Sequence, residues 1–203
     1  MIRISTAQSK VVALKAAFVL SVLCAAGAYA ASGTWVPAAG GGWGTASNWN
    51  PAAVPGSAAG DIINIMTNIT ATATITLDAN RTAGTIVLGD ADGTNTFALT
   101  GNALTLNQTG GALFRFGAPG ITTATTNSIS STITLASNAR FYSTLASPQT
   151  LSGVISGAFS VTYDNDDGVT VIGPTALQGQ FIASAANTYT GTTTINDVRV
   201  NAT

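Results

Sequence analysis

Short alternations of apolar and small polar residues, punctuated by Gly, Asn and Asp, run through this chain almost from end to end. The clearest are Asp61–Met66, Ala73–Leu77, Thr85–Leu88, Phe97–Leu99, Leu104–Leu106, Ser130–Leu135, Phe159–Tyr163, Val169–Ile172, Thr193–Ile195 and Val198–Val200. In most of them apolar residues stand at i and i+2 with Thr or Ser between, the period of a strand buried on one face. Between runs come Gly89-Asp90-Ala91-Asp92-Gly93, Gly101-Asn102, Gly110-Gly111, Asp164 to Gly168, and Gly173-Pro174. These residues accept tight-turn and left-handed conformations. Beyond the first thirty residues no stretch has a useful helical period, so the pattern predicts an all-β protein.

Many short strands at this spacing fit a parallel β-helix (β-solenoid) or an antiparallel β-sandwich. Three features favour the β-helix. The strands are only a few residues long; Thr and Asn occupy outward and turn positions, where stacked turns form side-chain ladders; and the apolar positions are small-to-medium aliphatics suited to a narrow column. Pattern alone leaves both alternatives open. If the β-helix holds, Ile75, Leu77, Ile86, Leu88, Leu99, Leu104, Leu106, Ile133, Leu135, Val161, Val171 and Ile195 point inward.

The N-terminus changes the picture of where the fold begins. Arg3, Lys10 and Lys15 precede an apolar run from Ala16 to Ala26, and Ala28-Tyr29-Ala30 then supplies a small-x-small cleavage pattern. The run is shorter than the ~20 residues needed to span a bilayer. Residues 1–30 therefore read as a secretory signal peptide. Bulky Leu23 before Cys24 speaks against a lipid anchor there. The expected organisation is a signal at 1–30, a Trp-rich cap at 31–60, and stacked β turns at 61–203.

Removing that leader removes both Lys and the one Cys, and the chain contains no His and no Glu. Charge then rests on Arg81, Arg115, Arg140 and Arg199 against eight Asp, a net −4. Such a balance offers nothing to nucleic acid or to anionic lipid. A secreted chain without disulfides is held by burial and backbone hydrogen bonds alone.

Near the C-terminus stands Asn187-Thr188-Tyr189-Thr190-Gly191-Thr192-Thr193-Thr194-Ile195. It resembles the N-T-Y-T-G-G-T-T-[IV] signature of the autotransporter-associated β-strand repeat, also called the passenger-associated transport repeat. Upstream, Leu151-Ser152-Gly153-Val154-Ile155-Ser156-Gly157 is similar to the L-x-G-x-I-x-G segment that opens the same repeat. Thr192 replaces the second Gly, Val198 stands where a Gly usually precedes the next strand, and 174–184 reads as an insertion, so the repeat at about 151–200 is a degenerate copy. Trp35, Gly42-Trp43-Gly44, Asn48-Trp49-Asn50, Val54-Pro55-Gly56 and Asp61 resemble the opening of large Thr-rich bacterial surface proteins. The resemblance implies a parallel β-helix displayed outside the cell, on the extracellular or outer-membrane surface of a Gram-negative bacterium. In that family the repeat serves passenger export and folding, in autotransporter-like or adhesin-like proteins.

Candidate chemistry is sparse. Without His, Glu, Lys or Cys, a Ser nucleophile lacks an ordinary base and no zinc constellation can form. The chain reads as no enzyme, with no cofactor. Paired carboxylates could still serve a glycosidase, but Asp164-Asn165-Asp166-Asp167-Gly168 lacks the basic partners of β-helical polygalacturonases and reads as a solvated turn. Asp164, Asp166 and Asp167, or Asp90 and Asp92, are candidate weak structural Ca²⁺ ligands. Set on an EF-hand loop by its Gly, each cluster has an apolar or aromatic residue (Tyr163, Leu88) at the first ligand position and no Glu at the last. Trp35, Trp43 and Trp49 have two readings, a cap over an apolar column and a platform for stacking sugar rings, so the rival function is a carbohydrate-binding or carbohydrate-active β-helix. Expected partners are further turns or a C-terminal anchor beyond Thr203, and a surface glycan or host ligand. A last strand at Val198–Val200 would otherwise present a bare edge.

Overall fold

The computed structural model describes residues 31–165 and 179–202. The leader at 1–30, the run Val169–Ile172 with Val171, and Asp166 and Asp167 lie outside the described residues.

Those residues are all-β and arranged in parallel sheets. The chain opens with β1 (Gly33–Trp35), β2 (Gly41–Gly42), a short 3-10 turn at Ala46–Asn48 and β3 (Trp49–Asn50). Three-strand circuits follow: β4 (Ile62–Ile65), β5 (Ala73–Leu77), β6 (Arg81–Ala83); then β7 (Thr85–Leu88), β8 (Phe97–Gly101), β9 (Leu104–Leu106). The next are β10 (Ala112–Phe116), β11 (Ser128–Ile129), β12 (Ile133–Leu135); and β13 (Ala139–Ser143), β14 (Pro148–Leu151), β15 (Ile155–Gly157). The chain ends with β16 (Val161–Asp164), β17 (Gln180–Ala183), β18 (Thr193–Asn196) and β19 (Arg199–Ala202).

Each circuit contributes one strand to each of three sheets, and the next circuit adds its strands beside them. The first sheet runs β18-β16-β13-β10-β7-β4-β1-β3, the second β19-β17-β14-β11-β8-β5-β2, and the third β15-β12-β9-β6. Among the described residues β1 with β3 is the only antiparallel pair. An antiparallel sandwich needs the opposite balance.

The alternation works as the pattern predicts. In β5, Ala73, Ile75 and Leu77 are buried while Thr74 and Thr76 face solvent. Ile75, Leu77, Ile86, Leu88, Leu99, Leu104, Leu106, Ile133, Leu135 and Val161 are all buried. Ile195 departs from the expectation. It aligns with buried Tyr163, so its register is inward, yet it is 52% exposed because β18 is the outermost strand of its sheet. In the first sheet β16 begins further along than expected, at Val161, leaving Phe159 exposed.

The column is not purely aliphatic. Ile63 and Ile86 of the first sheet give way in register to Phe114, Phe141 and Tyr163. These three rings stack with centroids 6.0 and 5.6 Å apart, and Phe181 packs 5.2 Å from Tyr163 and 6.0 Å from Phe116. Parallel in-register pairing places like residues over like, and that geometry lets aromatic rings stack from circuit to circuit. Burial, with a smaller contribution from Tyr189, pushes the Tyr163 hydroxyl above its ordinary value.

Corners are closed by small residues and side-chain amides. Gly101 has φ +98°, and a Cβ there would stand 2.5 Å from the Leu77 carbonyl oxygen. Asn102 next to it donates its side-chain N–H to the same carbonyl at 2.9 Å. At the corner leading into the second sheet, buried Asn127 accepts the Phe97 N–H at 2.9 Å, and its own N–H goes to Gln149 Oε1 at 2.9 Å. Gln149, fully buried, donates to Thr125 O and Ser147 O at 2.9 and 2.8 Å. These amides satisfy backbone groups that the bends take out of the sheet ladders.

Candidate functional site

The tryptophans gather at one end of the molecule. Trp35 and Trp49 face each other across the antiparallel β1–β3 pair with rings 5.1 Å apart, edge to face. Trp43 lies 4.8 Å from Trp49. Every indole N–H is used: Trp35 donates to Ala39 O, Trp43 to Pro55 O at 2.9 Å, and Trp49 to Trp43 O at 2.6 Å. All three side chains are buried in the same core cluster as Ile63 and Ile65. A sugar ring stacks on an open aromatic face, and rings this enclosed present none to solvent.

The Val54-Pro55-Gly56 turn and Asp61 belong to the same structure. Buried Asp61 accepts the N–H groups of Gly56 and Ser57 at 2.9 Å and of Ala58 at 3.3 Å on one carboxylate oxygen, pinning the turn under the tryptophans. Ser57 then bridges in parallel to Thr82 of β6, so the opening motif meets the third sheet. Spacing in the sequence joined these residues; the carboxylate that holds them is the part visible only in three dimensions.

At the other end, the signature Asn187 to Gly191 lies along the third side of its circuit. Asn187 Oδ1 accepts the Ile155 N–H at 2.8 Å, while the N–H groups of Thr188 and Thr190 donate to Ile155 O and Gly157 O at 2.9 Å. The segment therefore continues the third sheet beside β15. Half-buried Tyr189 packs against the core, and its hydroxyl lies 2.6 Å from Thr193 Oγ1. Gly191 is required by space, since a Cβ would sit 2.3 Å from the Phe159 carbonyl. Thr192 follows it and donates its N–H to Ser160 Oγ at 3.1 Å. The signature and the tryptophans are at opposite ends of the sheets and form no common site.

The acidic turns are structural hinges of the backbone. Asp90, 2% exposed, accepts the Ile69 N–H at 3.0 Å on one oxygen and the N–H groups of Thr94 and Asn95 at 3.1 and 2.9 Å on the other. Hydrogen bonds from the Thr94 hydroxyl and N–H, at 2.8 and 3.0 Å, hold the Asp92 carboxyl below its ordinary range. Asp164 corrects the sequence expectation of a solvated turn. It closes β16, is buried, and pairs with Arg140 at 2.7 Å. Among the described residues no group of three or more His, Cys, Asp or Glu side chains converges.

One constellation was not anticipated. On the outer face of the first sheet, Arg115 and Arg140 lie 4.7 and 4.9 Å from the Tyr142 ring, with Asp164 beside them. A shallow groove of about 300 Å³ opens nearby, bounded by Gly110, Gly111, Leu113, Asn138, Arg140 and Thr162. Its signal in the sequence is the second, outward set of alternate residues in Ala112–Phe116, Ala139–Ser143 and Val161–Asp164, which register aligns.

Comparison with protein-family models, with curated proteins and with solved structures finds no match for this chain. Among the described residues no helix is long and apolar enough to cross a membrane.

Proposed function

We propose that this chain is a parallel β-helix (β-solenoid) with a Trp cap, working as a non-catalytic, exported structural segment of an autotransporter-like or adhesin-like surface protein. The observation that carries the reading is the sheet order: each circuit returns to the same three sheets and pairs in parallel with the circuit before it. The signature residues add to it, because Asn187, Thr188 and Thr190 build part of the stack and not a ligand site. The composition supports a mechanical role, since the segment after Ala30 holds no His, Glu, Lys or Cys.

In this reading the stack serves passenger display. Continuous backbone ladders and a buried column resist proteolysis outside the cell, and the cap protects one end from pairing with another chain. Two measurements test it. N-terminal sequencing of the exported protein should start at Ala31 or within a residue or so of it; a chain retained in the cytoplasm with Met1 intact would refute export. Replacing Asn187 and Gly191 together with Ala should lower the amount of folded, surface-displayed protein; unchanged display would remove the signature from the export role. Carbohydrate binding is the weaker rival, because the aromatic residues that suggested it are enclosed.

A further inference from the structure

The second sheet turns to solvent a face that neither the cap nor the signature uses. Its outward positions form two columns, two residues apart along each strand. One column begins with Thr76 and Thr100, paired in register. It continues through Ser130, Ser152 and Ser184, whose N–H groups donate to Leu99, Ile129 and Leu151 of the preceding circuits at 2.9, 2.9 and 3.1 Å. The other column aligns Thr74, Ala98, Ser128, Thr150 and Ile182, with hydroxyls at three of its five positions. At its margin the hydroxyls of Thr72 and Thr96 lie 3.2 Å apart.

The three outer faces differ. The first sheet carries Arg115, Arg140, Tyr142 and Asp164. The third has a single column of Thr82, Thr105, Thr134 and Ser156. Only the second presents hydroxyls in two dimensions, and neither of its columns contains a charged or aromatic residue from Thr74 to Ser184.

Parallel pairing sets the repeat along a column at about 4.8 Å, and two residues of strand set the repeat across it at about 6.6 Å. Thr74, Thr76, Thr100 and Thr150 are stiff at χ1, so little rotamer freedom is lost where they meet an ordered surface. The repeat along each column lies close to an oxygen–oxygen repeat on the surface of ice. An uncharged lattice offers nothing to a polyanion or polycation, and a crystalline polysaccharide would call for the aromatic platform this face lacks.

We propose that the outer face of the second sheet binds ice, its ligand being the ordered water of the crystal surface. The inference goes beyond passenger display and depends only on the pairing of the second sheet. The test is ice-recrystallisation inhibition by the purified protein, with Thr76→Arg and Thr100→Arg on the face and Thr134→Arg on the third sheet as control, each checked for retained β circular dichroism. The wild-type protein and Thr134→Arg should inhibit crystal growth, and each face variant should lose most of that inhibition. No inhibition by the wild-type protein would overturn the proposal. So would equal loss in the control, or retention of the protein on insoluble cellulose or chitin without any effect on ice. If Thr76→Arg fails to fold, Thr100→Ser, which removes only the methyl, should still weaken inhibition relative to Thr134→Ser; equal potency of those two would also overturn it.

Discussion

The two halves of the column solve the same packing problem with different side chains. In the first sheet the inner rows of β4 and β7 are Ile and Leu, and the outer face there carries Thr85 and Val87. In β10, β13 and β16 those rows hold Phe114, Phe116, Phe141 and Tyr163, with Phe181 of β17 packed against them, and the outer face carries Arg115, Arg140, Tyr142 and Asp164. Backbone pairing is the same in both halves, so the difference is one of side-chain volume and polarity. The lesson is that the fold is specified by alternation and corners, while the residue chosen at each inward position tunes how much each circuit contributes.

The largest expected effect tests the aromatic half. Phe141 is fully buried between Phe114 and Tyr163, so Phe141→Ala should cost about 3–5 kcal/mol in urea unfolding. Leu104→Ala, in the aliphatic half, should cost about 2–5 kcal/mol, toward the lower part of that range if small side chains collapse more readily around the cavity. A larger loss from Leu104 than from Phe141 would mean that the ring stack is passive filling.

Corner amides come next. Gln149→Ala leaves the Asn127 N–H without its acceptor and frees the Thr125 and Ser147 carbonyls, at a cost of about 1–3 kcal/mol. Hydrogen exchange at Asn127 should accelerate with it. An unchanged rate would indicate that water replaces the amide.

Tyr163 gives the aromatic half an alkaline pH response. Its hydroxyl titrates above its ordinary value of 10.0 in the folded chain, so the unfolded chain loses that proton first as pH rises. Stability from this group is intact below pH 10 and falls above it, by up to about 1.4 kcal/mol per pH unit. Tyr163→Phe should flatten the alkaline limb measured by thermal melts between pH 9 and 11 (roughly the window set by the tyrosine reference value). An identical limb in the variant would place the sensitivity elsewhere.

The smallest effect belongs to the aliphatic half. Arg81 holds the Asp78 carboxyl below 3.8 through a 2.7 Å surface bond. This stability is present above the ordinary carboxylate value and is lost as pH falls through the lowered one. Solvent screening keeps it under about 1 kcal/mol. Asp78→Asn should therefore shift the acid limb only slightly.

Alternation made the strands readable: Ala73–Leu77 and Thr85–Leu88 coincide with β5 and β7 almost residue for residue. It could not reveal the ring stack, because Phe114, Phe141 and Tyr163 are distant in sequence and meet only through register. Nor could it reveal that Asp164 is buried, since an Asp-Asn-Asp-Asp-Gly run looks like a turn until Arg140 is brought alongside. Ile195 reads as core by pattern and is aligned with the core; its exposure depends on what stacks above it, which no local pattern encodes. The tryptophans were legible as a cluster, whereas the Asp61 carboxylate that pins the turn beside them was not.

The central claim is that successive circuits stack at a constant spacing. Spin labels on Thr74→Cys paired with Ile182→Cys or with Asn201→Cys test it, because these outward positions align through consecutive strands of the second sheet. Pulsed-dipolar distances between the backbone positions should be about 19 Å and about 24 Å, growing by about 4.8 Å for the added circuit. Distances that do not grow with circuit number, or that place Thr74 and Asn201 on facing antiparallel sheets about 10 Å apart, would contradict it.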